Sequence, residues 1–368
     1  MNMTLRKNST YAALPTTLLA TFLLLWATAC GASDTTTTAP APPSTAAPDT
    51  ATTAGSSSAA KVGAPEVAKL DLIMDWVPWV LDIPIDVAQE KGFYTDAGLE
   101  VTQTLPAGPT DVVKFVSTGK SQFGLYYAPD MLMGVAEGAS LMSVAALMGH
   151  APVGLAVAPG VDVTEPKDLV GKTVAVPLIP STRASYDTML KVAGVDPKSV
   201  TLVDPGYNLV APLLAGTYQA VAFTEFGELV EAEAIAGEKL TYLDFRDWGT
   251  PDFAFMNVIT ASDFAQKNPN TVRVFVEATM AGLAYAAANP EEAADIYVAR
   301  HPELKKDLLL AQWRAALPSM ATAAVDKPAG WQDVEVWTAL NAWMVEAGLL
   351  KQAVDLGGSV SNDYLAAP

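Results

Sequence analysis

The side chains best suited to holding a small molecule are concentrated in a short stretch that follows an apolar run. Residues 70–74 have the length and composition of a β-strand, and Asp75, Trp76, Trp79 and Asp82 come soon after it. Two indole rings offer broad apolar faces on which a large flat ring system can stack. This stretch therefore predicts part of a binding site for a flat ligand, with packing in the core as the alternative role for Trp79.

Two tyrosines and a pair of hydroxyl side chains are the next candidates along the chain. Tyr126 and Tyr127 end a predicted strand at residues 122–127, and strand alternation lets only one of them face a cleft. Ser181 and Thr182 are expected to cap a helix that begins near Arg183. Hydroxyls and backbone N–H groups at a helix N-terminus bind an anion or sugar-like hydroxyls, and Arg183 would suit a phosphate. A plain N-cap role is the alternative for the hydroxyl pair.

The remaining candidates follow later strands. Tyr207 and Asn208 lie at a strand-to-helix turn, and Trp248 lies in a loop near glycine and proline, where it could close over a ring. Glu225 could accept hydrogen bonds from a pyrimidine amine, a ring N–H or ribityl hydroxyls. Because an acidic residue is also favoured at the start of a helix, a solvated helix start is the alternative for Glu225.

The sequence carries none of the motifs of the common enzyme classes. Its two histidines, His150 and His301, have no histidine or cysteine partner at a metal-ligand spacing. It contains no G-x-S-x-G elbow, no P-loop and no Rossmann glycine pattern. We therefore expect a binding protein with no catalytic residue, no metal and no cofactor. A paired-carboxylate glycoside hydrolase is the alternative that the sequence leaves open.

The first 65 residues predict export and membrane anchoring. Arg6 and Lys7 precede an apolar run at residues 14–26 that is too short to span a bilayer comfortably, and small residues then lead to Cys30. Residues 1–29 are predicted to be a signal peptide, with Cys30 as the lipidated residue and ordinary signal-peptidase cleavage as the alternative. Residues 30–65, rich in Thr, Ala and Pro, predict a disordered tether. Because Cys30 is the only cysteine, the chain can form no internal disulfide.

The acidic composition disfavours several kinds of partner. The 22 basic and 40 acidic residues give a formal net charge of −18, which argues against nucleic acid and against a broad anionic membrane surface. A polyanionic ligand is disfavoured for the same reason. No second apolar run of about 20 residues follows the leader. The mature domain is therefore expected to be a soluble monomer, held by its lipid anchor on the extracytoplasmic face of the cell membrane.

The order of apolar patterns predicts the architecture. Short apolar runs alternate with longer helical patterns, which is typical of an α/β fold, and the last third of the chain is mostly helical. Two such blocks predict two lobes, with crossings between them at residues 153–158 and 253–259. A ligand is expected in the cleft, where strands end and helices begin. The predicted boundaries are lobe 1 at residues 66–157 and 257–368 and lobe 2 at residues 158–256.

Five short motifs occur in order along the chain. They are DWVP at 75–78, DVAQEKGFYTDAGLEV at 86–101, VSTGKSQFG at 116–124, PKDLVGKTV at 166–174 and AGVDPKSV at 193–200. Together they resemble the thiamine-pyrimidine-synthase-like branch of ABC substrate-binding proteins, which are relatives of the nitrate, sulfonate and taurine binders. The resemblance implies a type II periplasmic-binding-protein fold, in which two α/β lobes joined by a two-strand hinge close on a ligand, with a helical C-terminal tail. It also implies an ABC permease and its ATPase as partners.

The chain departs from this class just after the first strand. Where the class has D-W-x-P-N-x-x-H, this chain has Trp79 in place of the asparagine and Asp82 in place of the histidine. In the class those two residues contribute polar contacts to a small pyrimidine, whereas a second indole suits a larger ring. The resemblance is therefore closest to the riboflavin-binding branch. A thiamine-precursor pyrimidine (hydroxymethyl- or formylamino-pyrimidine) and a sulfonate or other small anion are the alternatives.

Overall fold

The computed structural model describes residues 63–108, 111–206, 208–321 and 326–366. These residues contain ten β-strands in two separate five-stranded sheets, together with twelve α-helices. The strands are β1 Lys69–Ile73, β2 Glu100–Thr104, β3 Phe123–Tyr127, β4 Leu141–Met148, β5 Val153–Val157, β6 Thr173–Ala175, β7 Thr201–Val203, β8 Ala220–Thr224, β9 Tyr242–Asp244 and β10 Met256–Ala261. The helices are α1 Ile83–Glu90, α2 Phe93–Asp96, α3 Asp111–Ser117, α4 Ala128–Ala136, α5 Pro180–Ala193, α6 Val210–Leu214, α7 Glu228–Ala236, α8 Ser262–Lys267, α9 Pro269–Ala288, α10 Pro290–Arg300, α11 Lys306–Ala316 and α12 Val334–Glu346. The predicted α/β class with a helical C-terminal part is confirmed.

The two sheets are built on the same plan. The first has the order β2-β1-β3-β10-β4 and the second the order β7-β6-β8-β5-β9. In the first sheet β10 runs antiparallel to both of its neighbours, and in the second sheet β5 does so. The parallel strands need crossover helices between them, so their carboxyl ends meet at one edge of each sheet. Side chains that follow β1, β3 and β8 are therefore placed at these edges, where α/β proteins bind ligands.

The chain passes between the sheets twice, slightly earlier than the sequence predicted. The outgoing connection is residues 149–152, between β4 and β5, and the return is residues 249–255, before β10. The predicted crossings at 153–158 and 253–259 thus begin four residues late (153 against 149, and 253 against 249). Residues 153–157 were assigned to the first lobe, but β5 pairs with β8 and β9 and so lies in the second sheet. Its apolar run reads equally well as a buried strand or as a connection, and only the pairing distinguishes the two.

Asp252 joins the two connections. One of its oxygens accepts a hydrogen bond from the backbone N–H of Ala151 at 3.0 Å, and the other bonds Nδ1 of His150. Arg246, which precedes the return connection, is paired with Asp244 and lies 3.8 Å from Asp252. The outgoing and return segments are therefore tied to each other as well as to the sheets.

Each sheet has its own apolar core. Around the first sheet, Phe275 of α9 stacks on Phe123 with ring centroids 3.9 Å apart and on Tyr94 at 5.4 Å. The second sheet is covered on both faces, because Leu155 belongs to one buried cluster and its neighbour Ala156 to the other. This division follows from the alternation of side chains along β5. The C-terminal helices α9 to α12 contribute buried residues to the first core.

Gly282 allows α9 to approach α1 closely. A Cβ atom at this position would overlap the carbonyl oxygen of Pro84 and stand 2.8 Å from Cβ of Ala88. We expect Gly282→Ala to lower the free energy of unfolding by about 1–3 kcal/mol, the usual cost of overpacking. In an unhindered helix the same change would stabilise the protein by about 1 kcal/mol. Urea denaturation measures whether Gly282→Ala lowers or raises the free energy of unfolding.

Gly358→Ala is the matched control for this change, because no atom lies within 4 Å of the added Cβ and the backbone φ angle is not positive. Its unfolding midpoint should stay near that of the wild type. An unchanged or higher midpoint for Gly282→Ala would mean that α1 and α9 are not packed backbone to backbone.

Candidate ligand-binding site

Five aromatic rings form a continuous cluster between the two sheets. Successive ring centroids are separated by 5.6 Å from Trp79 to Phe226, 6.3 Å from Phe226 to Phe255, 5.0 Å from Phe255 to Tyr127 and 5.8 Å from Tyr127 to Tyr126. All of these distances are in the range of direct ring contact. We call these five residues the aromatic cluster.

The fold brings this cluster together from distant parts of the sequence. Trp79 stands between β1 and the short 3-10 helix Val80–Asp82, and the two tyrosines end β3. Phe255 immediately precedes β10, whose first residue pairs with Tyr127. Phe226 follows β8 of the second sheet. Four rings are therefore attached to the first sheet and one to the second, and the cluster lies where strands of both sheets end.

The buried carboxylate of Asp75 orients two of these rings. One oxygen accepts a hydrogen bond from Nε1 of Trp79 at 3.2 Å, and the other accepts one from the hydroxyl of Tyr127 at 2.6 Å. Asp75 is only 1% exposed, and burial raises its pKa to about 6 although both hydrogen bonds act in the opposite direction. A single acceptor thus fixes an indole and a phenol, and the two rings are set before any ligand arrives.

Asp82 and Asp86 continue the row of buried carboxyl groups but differ in their partners. Asp82 accepts hydrogen bonds from the backbone N–H of Trp79 at 3.3 Å and from the hydroxyl of Tyr297 at 3.2 Å. Its Oδ1 has no partner among the described residues, and burial, together with the charges of Asp75 and Asp86, raises its pKa well above the ordinary value. Asp86 is paired with Arg300 and His301, each at 3.1 Å. Asp82 therefore favours the protonated form. The carboxylate of Asp86, in contrast, has basic side chains as partners.

A fourth carboxyl group, that of Asp130, connects the first turns of two helices, one after each sheet's strands. Asp130 lies in the first turn of α4, and its Oδ2 accepts a hydrogen bond from the hydroxyl of Ser181, in the first turn of α5, at 3.3 Å. Burial raises the pKa of Asp130 to about 6. The negative charge of Asp130 also helps to raise the pKa of Tyr126 and Tyr127, after the larger effect of burial. Asp130 is thus a neighbour of the aromatic cluster.

The predicted capping role of Ser181 and Thr182 was wrong. The helix begins at Pro180 and not near Arg183, so both residues lie inside its first turn, and the N-cap position is Ile179. Proline is favoured in the first turn because its missing N–H is not needed there, and this extends the helix towards its N-terminus. Ser181 is buried and faces Asp130, while Thr182 is half-buried.

The other predicted residues are half-buried, exposed or outside the described residues. Trp248 packs against the core of the second sheet, and Trp76 is half-buried in the turn that carries Trp79. Three predicted residues have exposed side chains: Arg183, Asn208 and Glu225. The guanidinium group of Arg183 forms an ion pair with Asp187 on its own helix at 2.9 Å. Tyr207 and Cys30 lie outside the described residues, as do all of residues 1–62.

Sequence reasoning missed three residues of the site: Asp130, Phe226 and Phe255. Glu225 was predicted to bind the ligand because it is polar. In the structure Glu225 is exposed and the next residue, Phe226, is buried. Phe255 falls in the crossing predicted at residues 253–259, and the structure places it immediately before β10, which begins at Met256. An available signal was position, since all three residues adjoin the end of a strand or the start of a helix. That signal alone does not separate site residues from packing residues.

Two negative findings apply to the described ranges. Within residues 63–108, 111–206, 208–321 and 326–366, no group of three or more His, Cys, Asp or Glu side chains is arranged to hold a metal ion. None of the helices in these ranges is long and apolar enough to cross a membrane.

The two sheets, each with one antiparallel strand and joined by two connections, are the architecture of the periplasmic binding proteins. The solved structure of the periplasmic aliphatic sulphonate binding protein SsuA from Escherichia coli matches this one with a TM-score of 0.63. The match covers 81% of this chain and 99% of that one, at 15% sequence identity. This likeness confirms the predicted fold.

The chain belongs to the NMT1/THI5-like family, whose model matches residues 82–293. A formylaminopyrimidine-binding protein from Halalkalibacterium halodurans is 26% identical over 77% of this chain and 87% of its own length. The riboflavin-binding protein RibY from Chloroflexus aurantiacus is 25% identical over 94% of this chain and 96% of its own. A protein from Legionella pneumophila named 4-amino-5-hydroxymethyl-2-methylpyrimidine phosphate synthase is 25% identical over 74% of this chain and 86% of its own.

Proposed function

We propose that this protein is the solute-binding component of an ABC importer and that it captures riboflavin in the aromatic cluster. The observation that carries the proposal is the contact between Trp79 on the first sheet and Phe226 on the second, at 5.6 Å. A flat ring that enters when the sheets move apart would be held between these two side chains when they close. The protein would then deliver riboflavin to a membrane permease and its ATPase.

The chemistry of the cluster suits a flat ligand of low charge. Nanomolar affinity requires about 12 kcal/mol, and an aromatic pair adds only ~0.5–1.5 kcal/mol beyond the area it buries. Most of the binding energy must therefore come from apolar area, at about 25 cal/mol per Å². A tricyclic ring buries more of that area than a single pyrimidine does. The carboxyl groups of Asp75 and Asp82, which are buried, and of Asp130, which is half-buried, would accept hydrogen bonds from ring N–H and ribityl hydroxyl groups.

The relatives support the same choice of ligand, with a pyrimidine as the second candidate. The alignment with RibY extends over 94% of this chain, against 77% for the formylaminopyrimidine-binding protein. The substitutions in the turn after β1 add an indole at Trp79, which favours the larger ring. The pyrimidine alternative is supported by the family itself, since several members are named for pyrimidine ligands or products.

We infer that the protein binds its ligand without converting it. Neither histidine belongs to the aromatic cluster, because His150 is bonded to Asp252 at the connections and His301 to Asp86 beside α10. We also propose that the chain is exported, lipidated at Cys30 and monomeric, so that it acts on the extracytoplasmic face of the membrane.

A fluorescence titration tests the proposed ligand. With the protein in excess over riboflavin at micromolar concentration, we expect saturable quenching of flavin fluorescence with a stoichiometry of one, because stacked indoles quench an excited flavin. Lumichrome, which has the ring without the ribityl chain, should compete, whereas hydroxymethylpyrimidine and taurine should not. Chromatography of the recovered ligand should show unchanged riboflavin after prolonged incubation. Absence of quenching would exclude riboflavin, and competition by the pyrimidine would select the second candidate.

A further inference from the structure

Two helix N-termini approach each other at the edge of the aromatic cluster. Helix α4 has nine residues and α5 has fourteen. Their N-cap residues, Tyr127 and Ile179, have extended backbones, and neither side chain accepts a capping hydrogen bond among the described residues. The hydrogen bond from Ser181 to Asp130 shows that the two first turns are within contact distance. Helix N-termini carry partial positive charge and unpaired N–H groups, which is the arrangement that attracts anions.

The Asp130 carboxylate already lies where those two first turns meet. Its Oδ2 accepts the Ser181 hydroxyl from α5, and the carboxylate also accepts a hydrogen bond from its own backbone N–H on α4. An acidic residue in a first turn is commonly explained by the helix dipole of its own helix. The dipole of α4 does not explain why Asp130 also contacts α5, a helix that follows β6 of the second sheet. The geometry therefore points to a role for Asp130 at the site and not only within α4.

Within the part of the chain that the structure describes, the Asp130 carboxylate forms no ion pair with a basic side chain. Arg183, the basic residue nearest in sequence to Ser181, is exposed and forms an ion pair with Asp187. On the side of the aromatic cluster, the buried carboxylate of Asp75 accepts a hydrogen bond from the hydroxyl of Tyr127, the N-cap residue of α4. A ligand carrying a phosphate, sulfonate or carboxylate at this place would meet like charges at close range, which is strongly unfavourable.

We propose that Asp130 is a specificity-determining residue that excludes anionic ligands from the cleft by holding its own carboxylate between the first turns of α4 and α5. Resting on the proposed function, this inference means that the protein accepts riboflavin and rejects riboflavin 5′-phosphate. The hydroxyl groups of an uncharged ligand can donate hydrogen bonds to Asp130, whereas a phosphate dianion has no hydrogen to donate. Specificity of this kind comes from repulsion of the wrong ligand as much as from attraction of the right one.

The test compares the two flavins on the wild type and on Asp130→Asn by fluorescence titration. The wild type should bind riboflavin 5′-phosphate at least about 100-fold more weakly than riboflavin, because a like charge is placed beside the phosphate. Asp130→Asn keeps the side-chain shape and removes the charge. We expect it to reduce the ratio of the two dissociation constants, riboflavin 5′-phosphate over riboflavin, by at least about tenfold. Its affinity for riboflavin itself should change much less than its affinity for the phosphate.

Two further variants separate the effect of charge from other effects. Ser181→Ala removes the hydroxyl but keeps the carboxylate, so it should still reject the phosphate. Asp263→Asn is the matched control, because Asp263 is also an acidic residue in a helix first turn but is exposed and paired with Lys267 of α8. It should leave both affinities unchanged.

The outcomes distinguish this inference from the proposed function. A wild type that binds neither flavin refutes the proposed function. A wild type that binds both flavins within about threefold of each other leaves the function standing and overturns the role of Asp130. An Asp130→Asn variant that binds riboflavin but keeps the wild-type ratio also overturns it. If Asp130→Asn does not bind riboflavin, Asp130→Ser is measured instead. For the inference to hold, Asp130→Ser must show the same reduction in the ratio of the two dissociation constants.

Discussion

Replacing Trp79 with alanine is expected to weaken riboflavin binding by about 5- to 150-fold, because stacking of a flat heterocycle on an aromatic side chain is worth ~1–3 kcal/mol. Of the two rings of the first sheet that contact Phe226 of the second, Trp79 lies nearer, at 5.6 Å against 6.3 Å for Phe255. Its orientation is fixed by the hydrogen bond to Asp75 and by the backbone hydrogen bond to Asp82. The substitution therefore removes one wall of the proposed site at its best-defined point.

Fluorescence titration with riboflavin measures the loss of affinity. Phe226→Ala is measured in parallel, because Phe226 is the ring contributed by the second sheet. Because the two rings would lie on opposite faces of the ligand, the two variants should lose affinity to a similar degree. Trp331→Ala is the matched control, since Trp331 is 40% exposed and lies outside the aromatic cluster. A Trp79→Ala protein that is folded by circular dichroism and binds within twofold of the wild type would remove this residue from the site.

The elements of the fold were largely predictable because periodicity in the sequence reports local structure. The strand expected at residues 70–74 is β1, and the strand expected at residues 122–127 is β3. Periodicity does not predict which strands pair with each other. The run at residues 153–157 is apolar whether it is a connection or a strand, and it lies in the second sheet because it pairs with β8 and β9.

The site was only partly predictable, because its contacts join residues that are far apart in the chain. Asp75, Trp79 and Tyr127 were predicted, and the structure brings them into one hydrogen-bonded group. Phe226 was missed, since nothing in the residues around it indicates that it will meet an indole almost 150 positions earlier (226 − 79 = 147). Apolar side chains at strand ends serve as core far more often than as ligand contacts. Only the fold distinguishes the two roles.

The row of buried carboxyl groups has a consequence for stability that is opposite to ordinary acid denaturation. The pKa of Asp75 and that of Asp130 are raised to about 6, and that of Asp82 is raised well above its usual value. An aspartate in the unfolded chain has a pKa of about 3.9. Between these values the folded protein binds more protons than the unfolded one, so these groups lower the free energy of unfolding as the pH rises. Their stabilising contribution is present near pH 4 and is lost above the folded pKa.

Asp82→Asn is therefore expected to raise the free energy of unfolding, and to raise it more at pH 8 than at pH 5, by about 1–3 kcal/mol. The amide oxygen can still accept the hydrogen bonds from Trp79 N–H and the Tyr297 hydroxyl, while the buried charge is no longer possible. Urea denaturation at several pH values measures the difference. Parallel pH profiles for the variant and the wild type would show that Asp82 keeps an ordinary pKa in the folded protein.

Asp86→Asn, the same substitution four residues further along, should have the opposite effect. Asp86 is as deeply buried as Asp82, but its charge is paired with Arg300 and His301. Removing one partner of a buried ion pair leaves the other without compensation, which costs up to about 3–5 kcal/mol when both are buried and less here because Arg300 is partly exposed. Opposite signs for two aspartates on adjoining turns would show that the local partners, and not burial alone, decide whether a buried carboxyl group stabilises this site.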